Sequence, residues 1–217
     1  MGYELHITRA LPGLYHERFP IQAAEVHDLI RSSPDLRLFQ DPPSRPDYFM
    51  MAVGEDDWFL YDHGELRTKH PGDALIRRML ELAAVLDAWV LGDDDIIYTL
   101  IDDRIAERPA VLADLPYPRW YLSRDTPIPA AEWASVVSAQ PDFRWSTRVR
   151  ARVPSGLKWV ECPPVACWTD HPAGRVVPFF LDEYEEIVDV WQPDPPTKDR
   201  VLALAPVLGA TVTRVEP

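Results

Sequence analysis

The chain has 217 residues, of which 47% are hydrophobic and 26% are charged, a composition typical of a globular protein and not of a disordered one. It contains 35 acidic against 22 basic residues, so its formal charge is −13. Because such a polyanion repels phosphate groups, the charge argues against nucleic acid and against anionic membrane surfaces as main partners. It would attract a basic protein partner, although solubility alone is the alternative explanation.

The N-terminal sequence MGYELHITRA carries charge from Glu4 onward, and no apolar segment follows it, so we expect no secretory signal. No stretch approaches the roughly 18 apolar residues needed to span a bilayer. We therefore predict a cytoplasmic protein without a membrane segment.

The first predicted elements are a strand and a helix. Residues 4–8 alternate apolar and polar side chains, which predicts a half-buried strand. Pro20 opens a helix whose apolar stripe has the spacing i, i+3, i+4. Pro34 ends this helix, because the residue before a proline avoids the α region. The stripe consists of Val26, Leu29 and Ile30.

Two strands, a second helix and a short strand are predicted next. The strands cover residues 48–55 and 58–66 and are joined by an acidic turn. The helix covers residues 73–88, and the short strand covers residues 88–92. Residues 96–100 predict a further edge strand before a linker.

The sequence repeats itself, because three blocks recur in the same order. The longest pair matches at roughly eight of nineteen positions without a gap. An internal duplication is the best explanation. The matching blocks are 4–9 with 119–124, 20–38 with 127–145, and 78–90 with 200–212.

The second copy predicts the same elements in the same order. We expect strands at 157–162 and 166–170, separated by a turn at Pro163-Pro164. Residues 176–191 read either as a strand entering a short helix or as a second strand. A helix at 197–209 and a strand at 210–215 close the copy.

The predicted fold class is therefore α+β, with two tandem βαββαβ (ferredoxin-like) repeats. Each repeat would form an antiparallel sheet with both helices on one face. The predicted domains are a first repeat at 1–100, a linker at 101–118 and a second repeat at 119–217.

The residues that most resemble metal ligands are Cys162, Cys167 and His171, with Asp170 beside them. Two alternatives are a disulfide and a pair of reduced thiols facing each other across the Pro163-Pro164 turn. A structural zinc site requires four ligands, and no second Cys or His pair is near, so we predict no metal. The sequence has neither a P-loop nor a G-x-G-x-x-G motif, so we predict no cofactor.

No histidine lies in a nucleophile motif, so we assign no catalytic residue. His6 could act as a base on the face of the sheet, whereas the alternative is a half-buried histidine with a hydrogen-bond partner. If the chain does not act by binding a protein, the alternative is an enzyme or small-ligand binder that uses the cleft between the repeats. His6 or His63 would then supply the polar groups of that cleft.

Four polar positions are identical in both copies, which suggests a role that each unit needs for folding. Arg9 should approach Glu25, and Arg124 should approach Glu132 in the same way. A P-D-x-R corner after the helix should stabilise its exit through bonds from the aspartate to the backbone. The alternative is a duplicated ligand site. The four pairs are Arg9/Arg124, Glu25/Glu132, Asp35/Asp142 and Arg37/Arg144.

Copy two has larger apolar side chains than copy one, since Trp133 and Trp145 replace Val26 and Leu38. With Trp168 and His6, these tryptophans are our candidate binding residues. A larger core is the alternative explanation.

The opening residues 2–9, the Pro20-Ile21 helix start, and Gly92-Asp93-Asp94 with Tyr98 resemble a group of small bacterial proteins of unknown function. Members of this group begin with a Y-x-L-H-I-T-R strand and end near G-D-D-G-x-x-Y, where this chain has Asp95 in place of the last glycine. Some are similar to immunity proteins of polymorphic toxin systems. The resemblance covers copy one and implies no catalytic residue.

From these observations we expect a non-enzymatic protein-binding module. The resemblance and the charge favour an immunity-type protein that neutralises a basic toxin or binds another protein partner. A structural subunit of a larger assembly is a further alternative.

Overall fold

A computed structural model describes residues 3–39, 45–93, 95–111, 115–182, 184 and 186–216. The chain is α+β and forms two compact units, each with its own antiparallel sheet. The first unit consists of Met1–Leu115 and Arg150–Cys162, and the second of Pro116–Val149 and Pro163–Pro217.

The first unit contains an eight-stranded sheet in the order β2-β3-β4-β5-β1-β6-β7-β8. The central strand β1 pairs with β5 on one side and with β6 on the other, so the N-terminal strand lies within the sheet. The strands are β1 (Glu4–Thr8), β2 (Leu36–Leu38), β3 (Tyr48–Val53), β4 (Asp57–Asp62), β5 (Glu65–Lys69), β6 (Trp89–Gly92), β7 (Ile96–Ile101) and β8 (Arg104–Pro109).

Two helices, α1 (Ala23–Ser32) and α2 (Asp73–Leu86), share one apolar core with this sheet. The Glu25 carboxylate accepts a hydrogen bond of 2.9 Å from the Gln22 N–H at the start of α1. The opposite face of the sheet is partly covered by a segment with a 3-10 helix at Gly13–Arg18. Core members from the three elements include Leu5, Ile7, Val26, Leu29, Met79 and Leu82.

The second unit contains most of a six-stranded sheet in the order β10-β11-β12-β13-β9-β14, and the outer ends of β10 and β11, residues 150–153 and 156–162, belong to the first unit. Its helices α3 (Ala130–Ala139) and α4 (Pro195–Leu208) share one core with the sheet. The strands are β9 (Arg119–Ser123), β10 (Phe143–Val153), β11 (Gly156–Trp168), β12 (Val177–Asp182), β13 (Ile187–Trp191) and β14 (Thr211–Val215).

Both copies have the element order βαββββαβ, and the first six strands of the large sheet follow the same order as the six strands of the small one. The ferredoxin-like prediction is therefore wrong in its strand count, since four strands and not two lie between the helices. The shared topology agrees with the order in which the matching sequence blocks recur.

One of the strands that the prediction lacks arises because the predicted strand 58–66 is divided in two by a tight turn. His63 and Gly64 both have positive φ, 44° and 105°, so the chain reverses there and separates β4 from β5. The predicted turn at Pro163-Pro164 is also wrong, because both prolines lie inside β11. Strand β8 lies within the predicted linker 101–118 and pairs with β7 along its length.

Candidate functional site

The Arg9 side chain joins three elements of the first unit. Its guanidinium donates to both oxygens of Glu25 in α1, at 2.8 and 2.7 Å. It also donates to the carbonyl of Leu86, the last residue of α2, at 2.8 and 3.2 Å, and to the Pro20 carbonyl at 3.3 Å. Burial acts to raise the pKa of Glu25, but hydrogen bonds from Arg9 and from the Gln22 N–H hold it below its usual range.

Arg124 makes the matching contacts in the second unit. It donates to Glu132 at 2.9 and 2.5 Å, to the Leu208 carbonyl at 2.5 Å and to the Pro127 carbonyl at 3.0 Å. Its hydrogen bonds lower the pKa of Glu132. The arginine and its three partners therefore recur at equivalent positions, and their guanidinium donors are directed at groups of their own unit. These contacts support the structural interpretation over a duplicated ligand site.

Asp35 and Asp142 have a partner that sequence reasoning missed. Both oxygens of Asp35 accept from Arg78 in α2 at 2.8 Å, and Asp142 accepts from Arg200 in α4 at 2.7 Å. Each of these arginines is the first residue of a repeated block, which is the signal that could have identified the pair.

The remaining shared arginines bind backbone carbonyls. Arg37 donates to Gly54 at 3.2 Å, and Arg144 donates to Pro141 and Phe143 at 2.8 and 2.5 Å. The eight shared polar residues thus have partners inside their own units, and their described contacts are those of structural residues.

His6 lies on the sheet face opposite α1 and α2, next to a buried carboxylate. Its Nδ1 is 3.1 Å from Glu65, which is 4% exposed, and its Nε2 is 3.6 Å from Asp93. His16 of the 3-10 helix is 3.9 Å from the other Glu65 oxygen. Within the described residues, no hydroxyl or thiol lies within hydrogen-bond distance of the His6 ring. The arrangement is thus an ion pair without a nucleophile.

The His6–Glu65 pair predicts a pH-dependent stability. Burial acts to lower the pKa of His6, but the hydrogen bond to Glu65 and the charges of Glu65 and Glu4 raise it above its usual value. The stabilisation is therefore fully present below the unfolded pKa of about 6.5 and is lost as pH rises through the raised folded pKa. Urea unfolding should show wild type more stable than His6→Gln near pH 6, by a margin that narrows at pH 9. A margin independent of pH would contradict this origin.

His63, the other histidine considered for chemistry, is half-exposed in the β4–β5 turn. Its Nδ1 is 2.6 Å from Asp62 and its Nε2 is 3.3 Å from Asp47. The hydrogen bond to Asp62 raises the pKa of His63 above its usual value. These contacts identify a surface ion pair.

Cys162 and Cys167 form no disulfide, both are buried, and they lie on the same strand, β11. Burial raises the pKa of Cys162 to about 11, so at neutral pH it is a thiol and a poor nucleophile. Among the residues that the structure describes, no group of three or more His, Cys, Asp or Glu side chains could hold a metal ion.

His171 follows β11 and is buried against Asp194, the residue that caps the start of α4. Its Nδ1 accepts from the Ala173 N–H at 3.1 Å, and its Nε2 is 3.0 Å from Asp194. Burial acts to raise the pKa of Asp194, but bonds from Thr197 and His171 hold it far below its usual range. His171 therefore supports the N-terminal cap of the helix.

Trp133 and Trp168 are core residues, at 1% and 7% exposure, which corrects their interpretation as binding residues. Trp133 packs edge-on against Phe143, with ring centroids 6.2 Å apart. The large residues in copy two thus enlarge its core, which was the alternative explanation. Trp145 is different, because 46% of its surface is exposed.

The structure identifies another candidate surface, on the outer half of the β10–β11 hairpin. Ala151, Val153 and Val160 of this half are buried, whereas Leu157 and Trp159 are 54% and 51% exposed. Arg150 and Arg152 alternate with the buried positions of β10 and are also exposed. We call these four residues the hairpin face.

The hairpin is held by contacts within the first unit. The Asp87 carboxylate accepts from the N–H and hydroxyl of Ser155, at 3.1 and 2.7 Å, and pairs with Lys158. The Trp89 indole donates to the Arg152 carbonyl at 3.3 Å. These contacts give the hairpin face a defined position on the first unit.

Asp87, which binds Ser155 and Lys158 of the hairpin, has an unusual backbone conformation. It has φ 50° at the C-terminal cap of α2, where the matching residue of copy two is Gly209 with φ 58°. A side chain in this region costs about 1 kcal/mol or more. Burial acts to raise the pKa of Asp87, but Lys158 and Ser155 hold it below its usual range. The hairpin contacts explain why an aspartate occupies a position suited to glycine.

Comparison with protein-family models, curated proteins and solved structures finds no match to this chain. In the part of the chain that the structure describes, no helix is long and apolar enough to cross a membrane.

Proposed function

We propose that the chain is a protein-binding module that acts without catalysis and contacts its partner through the hairpin face. The observation that supports this best is the exposure of Trp159 and Leu157 beside two arginines on an anchored hairpin. Tryptophan and arginine are the side chains most often found at the energetic centres of protein interfaces.

The energetics favour this surface because it is both apolar and pre-positioned. Burial of the exposed parts of Trp159 and Leu157 by a partner would contribute roughly 25 cal/mol for each Å² removed from water. Ser155 and Lys158 are already held by Asp87, so less conformational entropy is lost on binding than for a free loop.

The form of function that fits best is an immunity-type protein that neutralises a toxin. Two observations support this form. The opening strand resembles that of a group of small bacterial proteins, some of which are similar to immunity proteins, and the net charge of −13 attracts a basic protein at long range. Such attraction increases the rate of encounter, whereas contacts at the hairpin face determine which partner stays bound.

Affinity capture from the native cell tests the proposal with matched variants. We expect a partner protein that wild type retains, that Trp159→Ala loses and that Leu157→Ala retains more weakly. Leu14→Ala is the control, because Leu14 is 80% exposed in the same unit but lies outside the hairpin. A partner retained equally by Trp159→Ala would contradict the assignment of the surface.

A further inference from the structure

Arg150 and Arg152 occupy alternate positions of one strand, so their side chains leave the same side of β10. Their Cα atoms are about 7 Å apart, since an extended chain rises about 3.4 Å per residue. Trp159 and Leu157 have the corresponding outward positions on the neighbouring strand β11. The two charges therefore have a spacing that matches alternate residues of another extended chain.

Neither arginine side chain has an ion-pair or hydrogen-bond partner among the described residues. Several other arginines of the first unit are instead neutralised by carboxylates. Arg9, Arg67 and Arg78 each pair with a carboxylate at 2.7 or 2.8 Å. In a chain with 35 acidic residues, two exposed and unpaired guanidinium groups remain available for an external anion.

We propose that the hairpin face binds an extended segment of the partner protein that carries carboxylates at alternate positions. This inference rests on the proposed function and adds the chemistry of the partner. A guanidinium group forms two parallel hydrogen bonds with a carboxylate, and the half-exposed Trp159 and Leu157 reduce the access of water to such bonds.

A polypeptide is favoured over a nucleic acid because of the charge outside the hairpin. Double-stranded DNA carries about one charge per 1.7 Å, so the net charge of −13 repels it over its whole length. A short acidic segment brings few charges and experiences less repulsion. Trp159 could also stack on a base, so single-stranded DNA belongs in the test.

The test uses the full chain labelled with 5-fluorotryptophan, in which the Trp159 ¹⁹F resonance is assigned with Trp159→Phe. The probe is a synthetic peptide that alternates glutamate with threonine, and the control peptide has lysine in place of glutamate. We expect the glutamate peptide to shift the Trp159 resonance saturably and the lysine peptide to leave it unmoved. Binding should be at least about tenfold weaker when Arg150→Gln and Arg152→Gln are combined.

Three results would overturn the inference. They are a Trp159 resonance that the glutamate peptide does not move, an equal response of the double variant, and a stronger response to oligothymidylate. Neither guanidinium has a described partner, so the double variant should keep the urea midpoint of wild type. If the peptide fails while cell capture still depends on Trp159, only the acidic segment is wrong. If both fail, the proposed function fails too.

Discussion

Replacement of Arg9 by methionine is expected to lower the free energy of unfolding of the first unit by about 3 kcal/mol. Methionine keeps much of the apolar stem but removes the guanidinium donors of Arg9 to Glu25, Leu86 and Pro20. The Arg9 side chain is only 10% exposed, so water replaces these donors poorly. Urea unfolding followed by fluorescence would measure the loss.

The control for this prediction is Arg37→Met, the same substitution at another arginine that both copies share. Arg37 is exposed and its described side-chain bond is a single one to the Gly54 carbonyl, so we expect a loss below about 1 kcal/mol. Equal losses in the two variants would show that the contacts of Arg9 do not stabilise the unit.

Gly64→Ala is expected to destabilise the first unit by more than about 3 kcal/mol. A Cβ at Gly64 would lie 2.5 Å from the Pro20 Cβ and 2.8 Å from its Cα, and the backbone has φ 105°. The Ile21 N–H donates to the Gly64 carbonyl at 2.8 Å, so the two segments cannot separate without losing this bond. Thermal and urea unfolding would both report the change.

Gly54→Ala separates the steric effect from the conformational one. Gly54 also has positive φ, 63°, but nothing lies within 4 Å of a Cβ built there. Gly54→Ala should therefore lower the free energy of unfolding only through the unfavourable positive φ, by about 1 kcal/mol. If the two alanine variants were equally stable, close packing of Pro20 on Gly64 would not be the reason for glycine at this position.

The sequence was informative where the copies could be compared. The blocks 4–9 and 119–124 supply the arginines of the Arg9–Glu25 and Arg124–Glu132 pairs, and the blocks 20–38 and 127–145 supply the glutamates. The apolar periodicity located α2 and α4 within about two residues. The partners of Asp35 and Asp142 were equally accessible, because Arg78 and Arg200 are matched positions in another block.

The hairpin and the core tryptophans were harder to predict. In β10, Val149, Ala151 and Val153 alternate with arginines, a period of two whose high charge concealed the strand. Trp133 and Trp145 are chemically alike, and only tertiary packing distinguishes the buried one from the exposed one. The hairpin face depends on contacts between residues far apart in the chain, such as Asp87 with Ser155, which no local pattern indicates.

The central claim is that the hairpin face binds a protein partner, and the dissociation constant of the captured partner tests it most directly. Isothermal titration calorimetry should show at least about tenfold weaker binding for Trp159→Ala than for wild type and for Leu14→Ala. The urea midpoints should be unchanged, since Trp159 is half-exposed. Equal dissociation constants for all three proteins would contradict the account.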